Sequence, residues 1–87
     1  MKASHRPIVC KSGLVMSIQA SEYHYCSPRN NKGPYSTVEI GYPSRFVADL
    51  IPFAEDKDNP TVYGNVPVEV VESIIAANGG IDLGKSL

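Results

Sequence analysis

The fold depends most on residues 67–81, PVEVVESIIAANGGI, which the sequence predicts to be an amphipathic helix. Pro67 suits the first helical position, because the N–H that proline lacks has no helical partner there in any residue. Val70, Val71, Ile74, Ile75 and Asn78 fall on one helical face, and Glu69, Glu72, Ser73 and Ala76 fall on the other. Asn78 and the two glycines after it predict the end of the helix, since glycine adopts the left-handed conformation of a C-cap without steric penalty.

Upstream of this helix the sequence alternates with a period of two, which is typical of β-strands with one buried face. The predicted strands are 8–11, 14–20, 35–42 and the brief 61–63, which ends at Gly64, with 23–26 extending or following the second. Ser12 and Gly13 predict a turn between the first two strands. In the third strand, Val38, Ile40 and Tyr42 are expected to face the core.

A second, shorter helix is predicted after Pro43. Ser44 is a suitable N-cap for a helix over 45–51, which Pro52 would stop. Its apolar side chains would be Phe46, Val47, Leu50 and Ile51. Together these elements predict an α+β fold: a small antiparallel sheet of three to four strands, one C-terminal amphipathic helix across one face, and this short helix.

The chain of 87 residues has the length of a single domain. Residues 1–7 are expected to form a loose N-terminal arm, and residues 82–87 a loose tail. A hydrophobic fraction of 43% predicts a folded core. Because so small a core is marginal and the strand 35–42 would leave an open edge, we expect self-association, with a homodimer as its simplest form.

Charge is unevenly distributed along the chain, although the net charge of −1 argues against a dedicated nucleic-acid binder. Residues 1–32 carry five basic residues against one acidic residue, a balance of +4, and residues 33–87 carry three against eight, a balance of −5. An acidic face could meet a basic partner if folding keeps the two portions apart, and has no such meaning if folding interleaves them. The densest acidic cluster is Glu55, Asp56 and Asp58, which predicts either an electrostatic docking surface or a solvated loop.

No segment has the roughly 18 to 20 apolar residues needed to cross a bilayer, so no membrane partner is expected. Lys2 and Arg6 resemble the start of a signal peptide, but the residues that follow them are too polar for one. We therefore expect the mature protein to start near Met1 and to be cytoplasmic. Cys10 and Cys26 are expected to be free thiols, although a bridge between neighbouring strands is geometrically conceivable.

His5, Cys10, His24 and Cys26 are the side chains best suited to bind a soft metal, and their spacing matches no zinc motif. His24 could activate Cys26 as a nucleophile, yet no acid or Asn is identifiable that would orient the histidine. The glycine pair after the last helix follows a helix instead of preceding one, so it does not form a phosphate-binding loop. The sequence therefore predicts no catalytic residue, no metal site and no cofactor, and the protein is not expected to be an enzyme.

The loop 29–32 combines hydrogen-bond donors with neighbouring aromatic rings, a combination that can hold a nucleotide or a short nucleic-acid strand. The same residue types are also typical of a plain hairpin turn and of protein interfaces. The predicted partner-binding residues are Tyr25, Arg29, Asn30, Lys32, Tyr35, Glu55, Asp56 and Asp58.

Several short segments of the sequence together resemble one group of proteins. They are 16–21 (MSIQAS), 24–29 (HYCSPR), 33–35 (GPY), 38–44 (VEIGYPS) and 62–67 (VYGNVP), followed by the helix end at 74–81. Over about residues 16–81, the chain resembles small uncharacterised proteins encoded by bacteriophages and prophages.

This resemblance implies a biological context and transfers no catalytic or binding residue. Short phage accessory genes often encode proteins that block host functions, including anti-CRISPR and other anti-defence inhibitors, and these usually act by occupying a surface. The expected function is therefore inhibition or modulation of a host protein assembly by surface occlusion. Two alternatives stay open, a nucleotide or nucleic-acid binding module that uses the loop 29–32 and a component of virion assembly.

Overall fold

The computed structural model describes residues 7–20, 26–28 and 34–85. Its elements are the strands β1 (Pro7–Val9), β2 (Val15–Gln19) and β3 (Thr37–Gly41), a 3-10 helix (Ala48–Phe53), the strand β4 (Val62–Pro67) and the helix α1 (Val68–Ala77). In these residues the strands form a sheet in the order β1-β2-β3-β4, with each neighbouring pair antiparallel. The predicted α+β fold is confirmed.

The core joins the apolar side chains of the sheet to those of α1 in one buried cluster. Ile18 of β2 lies opposite Ile40 of β3, and both are at most 2% exposed. The buried residues of α1 are Val68, Val71, Ile74 and Ile75. The period of two in the strands and the helical stripe therefore supply the two halves of the core, as predicted.

Helix α1 begins one residue later than predicted. Pro67 is the last residue of β4 and the N-cap of α1, with φ −55° and ψ 139°, so it is extended and not helical. Val68 N–H donates to Ser36 O (3.0 Å), which satisfies the backbone donor at the helix start. The prediction for Pro67 is wrong by one position because the strand continues to the point at which the helix begins.

The short helix that follows β3 is a 3-10 helix over Ala48–Phe53, and not an α-helix over 45–51. Ser44 is not its N-cap, because the backbone N–H and the side chain of Ser44 are both bonded to Val15 of β2. Pro52 lies inside the helix instead of ending it, since the hydrogen bonds on either side of it do not use its nitrogen.

Strand β4 continues through Gly64, where the sequence predicts its end. The pairing of β3 with β4 shifts between Val38 and Ile40, where β4 contributes one residue more than β3. Asn65 in this stretch has a φ of 50°, a left-handed conformation that Asn tolerates better than most residues. The bulge allows β4 to keep pairing beyond the glycine.

Strand β3 lies between β2 and β4, so the prediction that residues 35–42 form an open edge strand is wrong. Part of each outer edge of the sheet is covered by the chain itself. Asp82 N–H donates to Val9 O of β1 (2.8 Å), and Glu55 N–H donates to Val62 O of β4 (3.0 Å). β3 therefore offers no open edge for self-association, and any dimer must use another surface.

The two ends of the chain are described in part. Of the N-terminal arm predicted over 1–7, Pro7 alone lies within the described residues, and it pairs with Ser17. Of the tail predicted over 82–87, residues 82–85 are described, and Lys85 N–H donates to Asp82 O (3.1 Å) in a turn.

Candidate functional site

The loop 42–47, which connects β3 to the 3-10 helix, is held against the sheet by backbone hydrogen bonds. Tyr42 N–H donates to Thr61 O (2.7 Å). Ser44 N–H donates to Val15 O (2.8 Å), and Val15 N–H donates to Ser44 Oγ (2.9 Å). These bonds fix the loop at its beginning and in its middle, so its shape is set before any partner arrives.

Arg45 fixes the same loop to the turn between β1 and β2. Its Nη2 donates to Ser12 O (2.9 Å). Gly13 makes room for this contact, because a Cβ at that position would lie 3.3 Å from Nη2, and its φ of 95° is one that side-chain-bearing residues rarely adopt. Lys11 is exposed in the same turn, so this end of the loop is basic.

Two aromatic rings of this loop stand in solvent. Tyr42 is 71% exposed and Phe46 is 75% exposed. The strand alternation predicts that Tyr42 faces the core, and this prediction is wrong. Phe46 is predicted to be one of the apolar side chains of a helix over 45–51, and the helix does not include it. Since β3 ends at Gly41 and the 3-10 helix starts at Ala48, neither periodic pattern extends to these two residues.

Tyr42 adopts a strained backbone conformation, with a φ of 48°. A bulky residue at such an angle is uncommon, and the strain costs on the order of 1–3 kcal/mol. The exposed ring gains no core packing that would offset this cost. Strain that serves no packing is typical of residues kept for a function.

The sequence does carry a signal for this surface. The run YPSRF, 42–46, places two aromatic residues around an arginine and directly follows a strand. Proline restricts the residue before it to non-helical conformations and ends regular strand pairing, so Tyr42 stands where the alternation stops. The period-two pattern conceals this, because Tyr42 continues it for one residue.

Arg45 also acts electrostatically on the buried thiol of Cys10. Burial raises the pKa of Cys10, and the nearby positive charge of Arg45 offsets part of that rise. The pKa remains above the ordinary thiol value, so Cys10 is neutral at physiological pH. A buried neutral thiol is a poor nucleophile, and Cys10 contributes packing at this site.

An acidic groove opens between the 3-10 helix and the first half of α1. Asp49, Glu69, Val70 and Ser73 line this groove. The side chains of Asp49 and Glu69 are both exposed, and neither carboxylate is hydrogen-bonded or ion-paired with another described residue. The loop thus carries a basic residue at Arg45, and the 3-10 helix that follows it carries an acidic residue at Asp49.

The predicted acidic cluster is exposed and is organised by local bonds. Asp56 Oδ1 accepts hydrogen bonds from the N–H groups of Asp58 (3.0 Å) and Asn59 (3.3 Å). Lys57 Nζ donates to Ile51 O (3.4 Å). The two bonds that Asp56 Oδ1 accepts form an Asx turn, which gives Asp56 a structural role in its loop. Glu55 and Asp58 are exposed on the same loop.

The remaining predicted site residues are not brought together on a described surface. Tyr35 is only 8% exposed and belongs to the core cluster, so its ring is not presented to a partner. Tyr25, Arg29, Asn30 and Lys32 lie outside the described residues.

Cys10 and Cys26 are both buried free thiols, which confirms that prediction. Within 7–20, 26–28 and 34–85, no three His, Cys, Asp or Glu side chains converge as a metal site requires. The histidines considered as ligands, His5 and His24, lie outside these ranges. No helix in the described part of the chain has the length and apolar character needed to cross a membrane.

No protein-family model, curated protein or solved structure matches this chain. A functional proposal must therefore depend on the chemistry of its own surface.

Proposed function

We propose that this protein is a non-catalytic binding protein that docks its loop 42–47 onto a larger host assembly and inhibits it by covering a surface. The single observation that carries the proposal is the pair of rings, Tyr42 and Phe46, each more than 70% exposed on a loop fixed by hydrogen bonds. Tyrosine, phenylalanine and arginine are enriched at protein interfaces relative to other surfaces. The resemblance to phage-encoded accessory proteins supports a host protein as the partner.

The anchoring of the loop favours tight binding. A flexible segment loses conformational freedom when it binds, at about 0.5–1.5 kcal/mol per immobilised side chain, and further cost for the backbone. The loop 42–47 has already lost part of its backbone freedom, because Tyr42 is bonded to Thr61 and Ser44 to Val15. Binding energy from the two rings is therefore retained as affinity.

Each exposed residue of the loop has a distinct capacity. Phe46 can fill an apolar socket, and Tyr42 can pack its ring while its hydroxyl keeps a hydrogen bond. Arg45 uses Nη2 for Ser12 O, and its other N–H groups can still meet a carboxylate of a partner. Such a surface acts stoichiometrically, because it covers its target and transforms nothing.

Affinity capture followed by titration tests the proposal. Wild-type protein and a Phe46→Ala variant are each immobilised, and proteins from host lysate that bind only the wild type are identified by mass spectrometry. The purified assembly is then titrated with the free protein. Inhibition should saturate at a fixed ratio, and Phe46→Ala should weaken it by about 30-fold, the effect of losing about 2 kcal/mol from an aromatic anchor.

Leu83→Ala is the matched control, since Leu83 is an apolar residue outside the loop and is 84% exposed. This variant should inhibit as well as the wild type. Inhibition below a stoichiometric ratio that grows with incubation time would contradict the proposal and indicate an enzyme, with Cys26 and His24 as the first residues to test.

The two alternative functions stay predictions. Nucleic-acid binding depends on Arg29 and Lys32, which lie outside the described residues. A role in virion assembly has no specific observation in its favour on the described surface.

A further inference from the structure

The C-terminal end of α1 carries the dipeptide Asn78-Gly79, the sequence most reactive in spontaneous deamidation. In this reaction the backbone nitrogen of the residue after an asparagine attacks the side-chain carbon Cγ. Glycine leaves that nitrogen unhindered, because it has no Cβ. Among the other asparagines of the described residues, Asn59 precedes a proline, which has no N–H to react, and Asn65 precedes a β-branched valine. By sequence, Asn78 is therefore the most reactive of the three.

Deamidation at this dipeptide proceeds in two steps. A bond forms between Gly79 N and Asn78 Cγ, the Cγ–Nδ2 bond breaks, and Nδ2 leaves as ammonia with the proton of Gly79 N. Water then adds to either carbonyl carbon of the resulting five-membered succinimide ring and opens it. The product carries a carboxylate in place of the Asn78 amide, as aspartate or as isoaspartate.

The folded backbone at Asn78 does not allow the succinimide ring to close. The ring contains Cβ, Cα and C of Asn78 together with Gly79 N, so Cβ and this nitrogen must nearly eclipse each other about the Cα–C bond. Asn78 has a ψ of 21°, at which Gly79 N nearly eclipses the backbone nitrogen of Asn78 instead. Cβ is a different substituent of the same tetrahedral carbon, so the attacking nitrogen is turned away from the side chain.

Four hydrogen bonds hold the reacting groups in this arrangement. Gly79 N–H donates to Ala76 O (3.1 Å), which occupies the attacking group. Asn78 Nδ2 donates to Ile74 O (2.8 Å), which holds the leaving group against the preceding helical turn. Ser12 donates twice to Asn78, from Oγ to Oδ1 (2.7 Å) and from its N–H to the backbone oxygen (3.0 Å). Rotation of ψ toward the ring geometry moves Gly79 N and the Asn78 carbonyl together, so it breaks the bonds of both.

We propose that Asn78-Gly79 is a deamidation site that the turn between β1 and β2 shields through Ser12. Deamidation takes place when the helix end has opened away from Ser12, and not in the closed state. A hydroxyl that donates to Oδ1 also stabilises the negative charge that develops there during attack. The closed state does not bring the nucleophile to Cγ, however, so the hydroxyl has no developing charge to stabilise and its effect is to shield.

The reaction makes the opening of the helix end permanent. A carboxylate at position 78 has no donor for Ile74 O and places a negative charge at the C-terminal end of α1, where the helix dipole disfavours it. Isoaspartate also adds a carbon to the main chain just before Gly79. The bond of 2.9 Å from Lys11 N–H to Gly80 O depends on that path. A molecule that has reacted therefore does not regain the closed helix end.

Peptide mapping of the full chain tests the site. Folded wild type is incubated in mildly alkaline buffer beside a sample unfolded in urea, and tandem mass spectrometry of the tryptic peptide 58–85 follows the amide at position 78. The unfolded sample should deamidate there, and the folded sample should react at least about 100-fold more slowly. This factor corresponds to about 2.8 kcal/mol, or roughly three net hydrogen bonds.

Two variants separate local shielding from overall stability. Ser12→Ala removes the side-chain bond to Asn78 Oδ1 and should speed deamidation about 5-fold, which corresponds to about 1 kcal/mol. Ile40→Val is the matched control, because it removes a methylene from the buried sheet, lowers stability by a similar amount and leaves the Asn78 bonds intact. It should react at the wild-type rate. Urea denaturation verifies that both variants are folded and equally destabilised.

Several outcomes would overturn the proposal. Absence of reaction in the unfolded chain would remove the site, and equal rates in the folded and unfolded chain would remove the shield. A slower reaction in Ser12→Ala would mean that the hydroxyl assists the attack. Equal acceleration by Ile40→Val would mean that global unfolding, and not opening at Ser12, exposes the amide. None of these outcomes bears on host binding through the loop 42–47.

Discussion

Ser12 Oγ donates a hydrogen bond of 2.7 Å to Asn78 Oδ1, across 66 positions of the sequence. Ser12 N–H also donates to the backbone oxygen of Asn78 (3.0 Å), and Asn78 Nδ2 donates to Ile74 O (2.8 Å). The turn between β1 and β2 thereby closes the C-terminal end of α1. Because Arg45 bonds the same turn, this pair connects the helix to the proposed docking loop.

Removal of this pair should destabilise the protein without unfolding it. Ser12→Ala deletes the bond to Asn78 and the longer bond that Leu14 N–H donates to Ser12 Oγ (3.4 Å), and is expected to lower the free energy of unfolding by about 1 kcal/mol. Asn78→Ala deletes two side-chain bonds and is expected to cost about 2 kcal/mol. Urea denaturation measures both. Ser73→Ala is the control, since this exposed helical serine should lose nothing, and a loss equal to that of Ser12→Ala would contradict the prediction.

Relief of the backbone strain at Tyr42 should stabilise the protein. Glycine adopts a φ of 48° readily, so Tyr42→Gly is expected to raise the free energy of unfolding by about 0.5–1 kcal/mol. Tyr42→Ala keeps the strain and should show no gain, although it removes the same ring. Thermal and urea denaturation compare the two variants. Equal stabilities would mean that the φ of Tyr42 carries no cost.

A charge placed in the buried stripe of α1 should unfold the protein. Ile74 is 2% exposed, so Ile74→Asp forces an unpaired carboxylate into the core at a cost of several kcal/mol. A domain has only about 5–15 kcal/mol of stability to lose. Ser73→Asp places the same group one residue earlier on the exposed face and should change stability by only about 0.5 kcal/mol. Circular dichroism distinguishes the two variants, and a folded Ile74→Asp would contradict the packing of α1.

The raised pKa of Cys10 predicts a loss of stability at alkaline pH. The unfolded chain releases the thiol proton at about pH 8.5, whereas the folded chain retains it to higher pH, so the folded state binds more protons in this window. The stabilising contribution is complete below about pH 8.5 and is lost as the pH rises through the folded pKa. Urea denaturation between about pH 7 and pH 10 should show this decline in the wild type. Cys10→Ala should show a smaller decline, and equal pH dependence of the two would contradict the assignment.

The C-terminal end of α1 shows what a few adjacent residues can determine by themselves. Asn78 and the glycines after it predict the end of the helix, and α1 does end at Ala77, with φ values of 85° and 86° at Gly79 and Gly80. The sequence is informative here because a glycine C-cap depends on the backbone preference of a few adjacent residues. The partner that closes this helix end, Ser12, carries no such local sign.

The alternation in β3 likewise predicted the buried positions Val38 and Ile40 correctly. The prediction that β3 is an edge strand was wrong, because the side chains of a strand indicate which of its faces is buried and not which strands pair with it. Strand order follows from the total burial and pairing that the whole chain can reach.

Spacing and local conformation were enough to establish the α+β class, the apolar stripe of α1 and the end of that helix. The exposure of Tyr42 and Phe46, by contrast, follows from tertiary contacts. The local patterns assigned Ser44 to a helix cap, but Val15, 29 positions away, takes both its backbone N–H and its hydroxyl. The backbone N–H and C=O of Val15, at the start of β2, compete with the helix for the hydrogen bonds of Ser44. Because Ser44 is bonded to Val15, the helix starts at Ala48 and both rings lie in solvent.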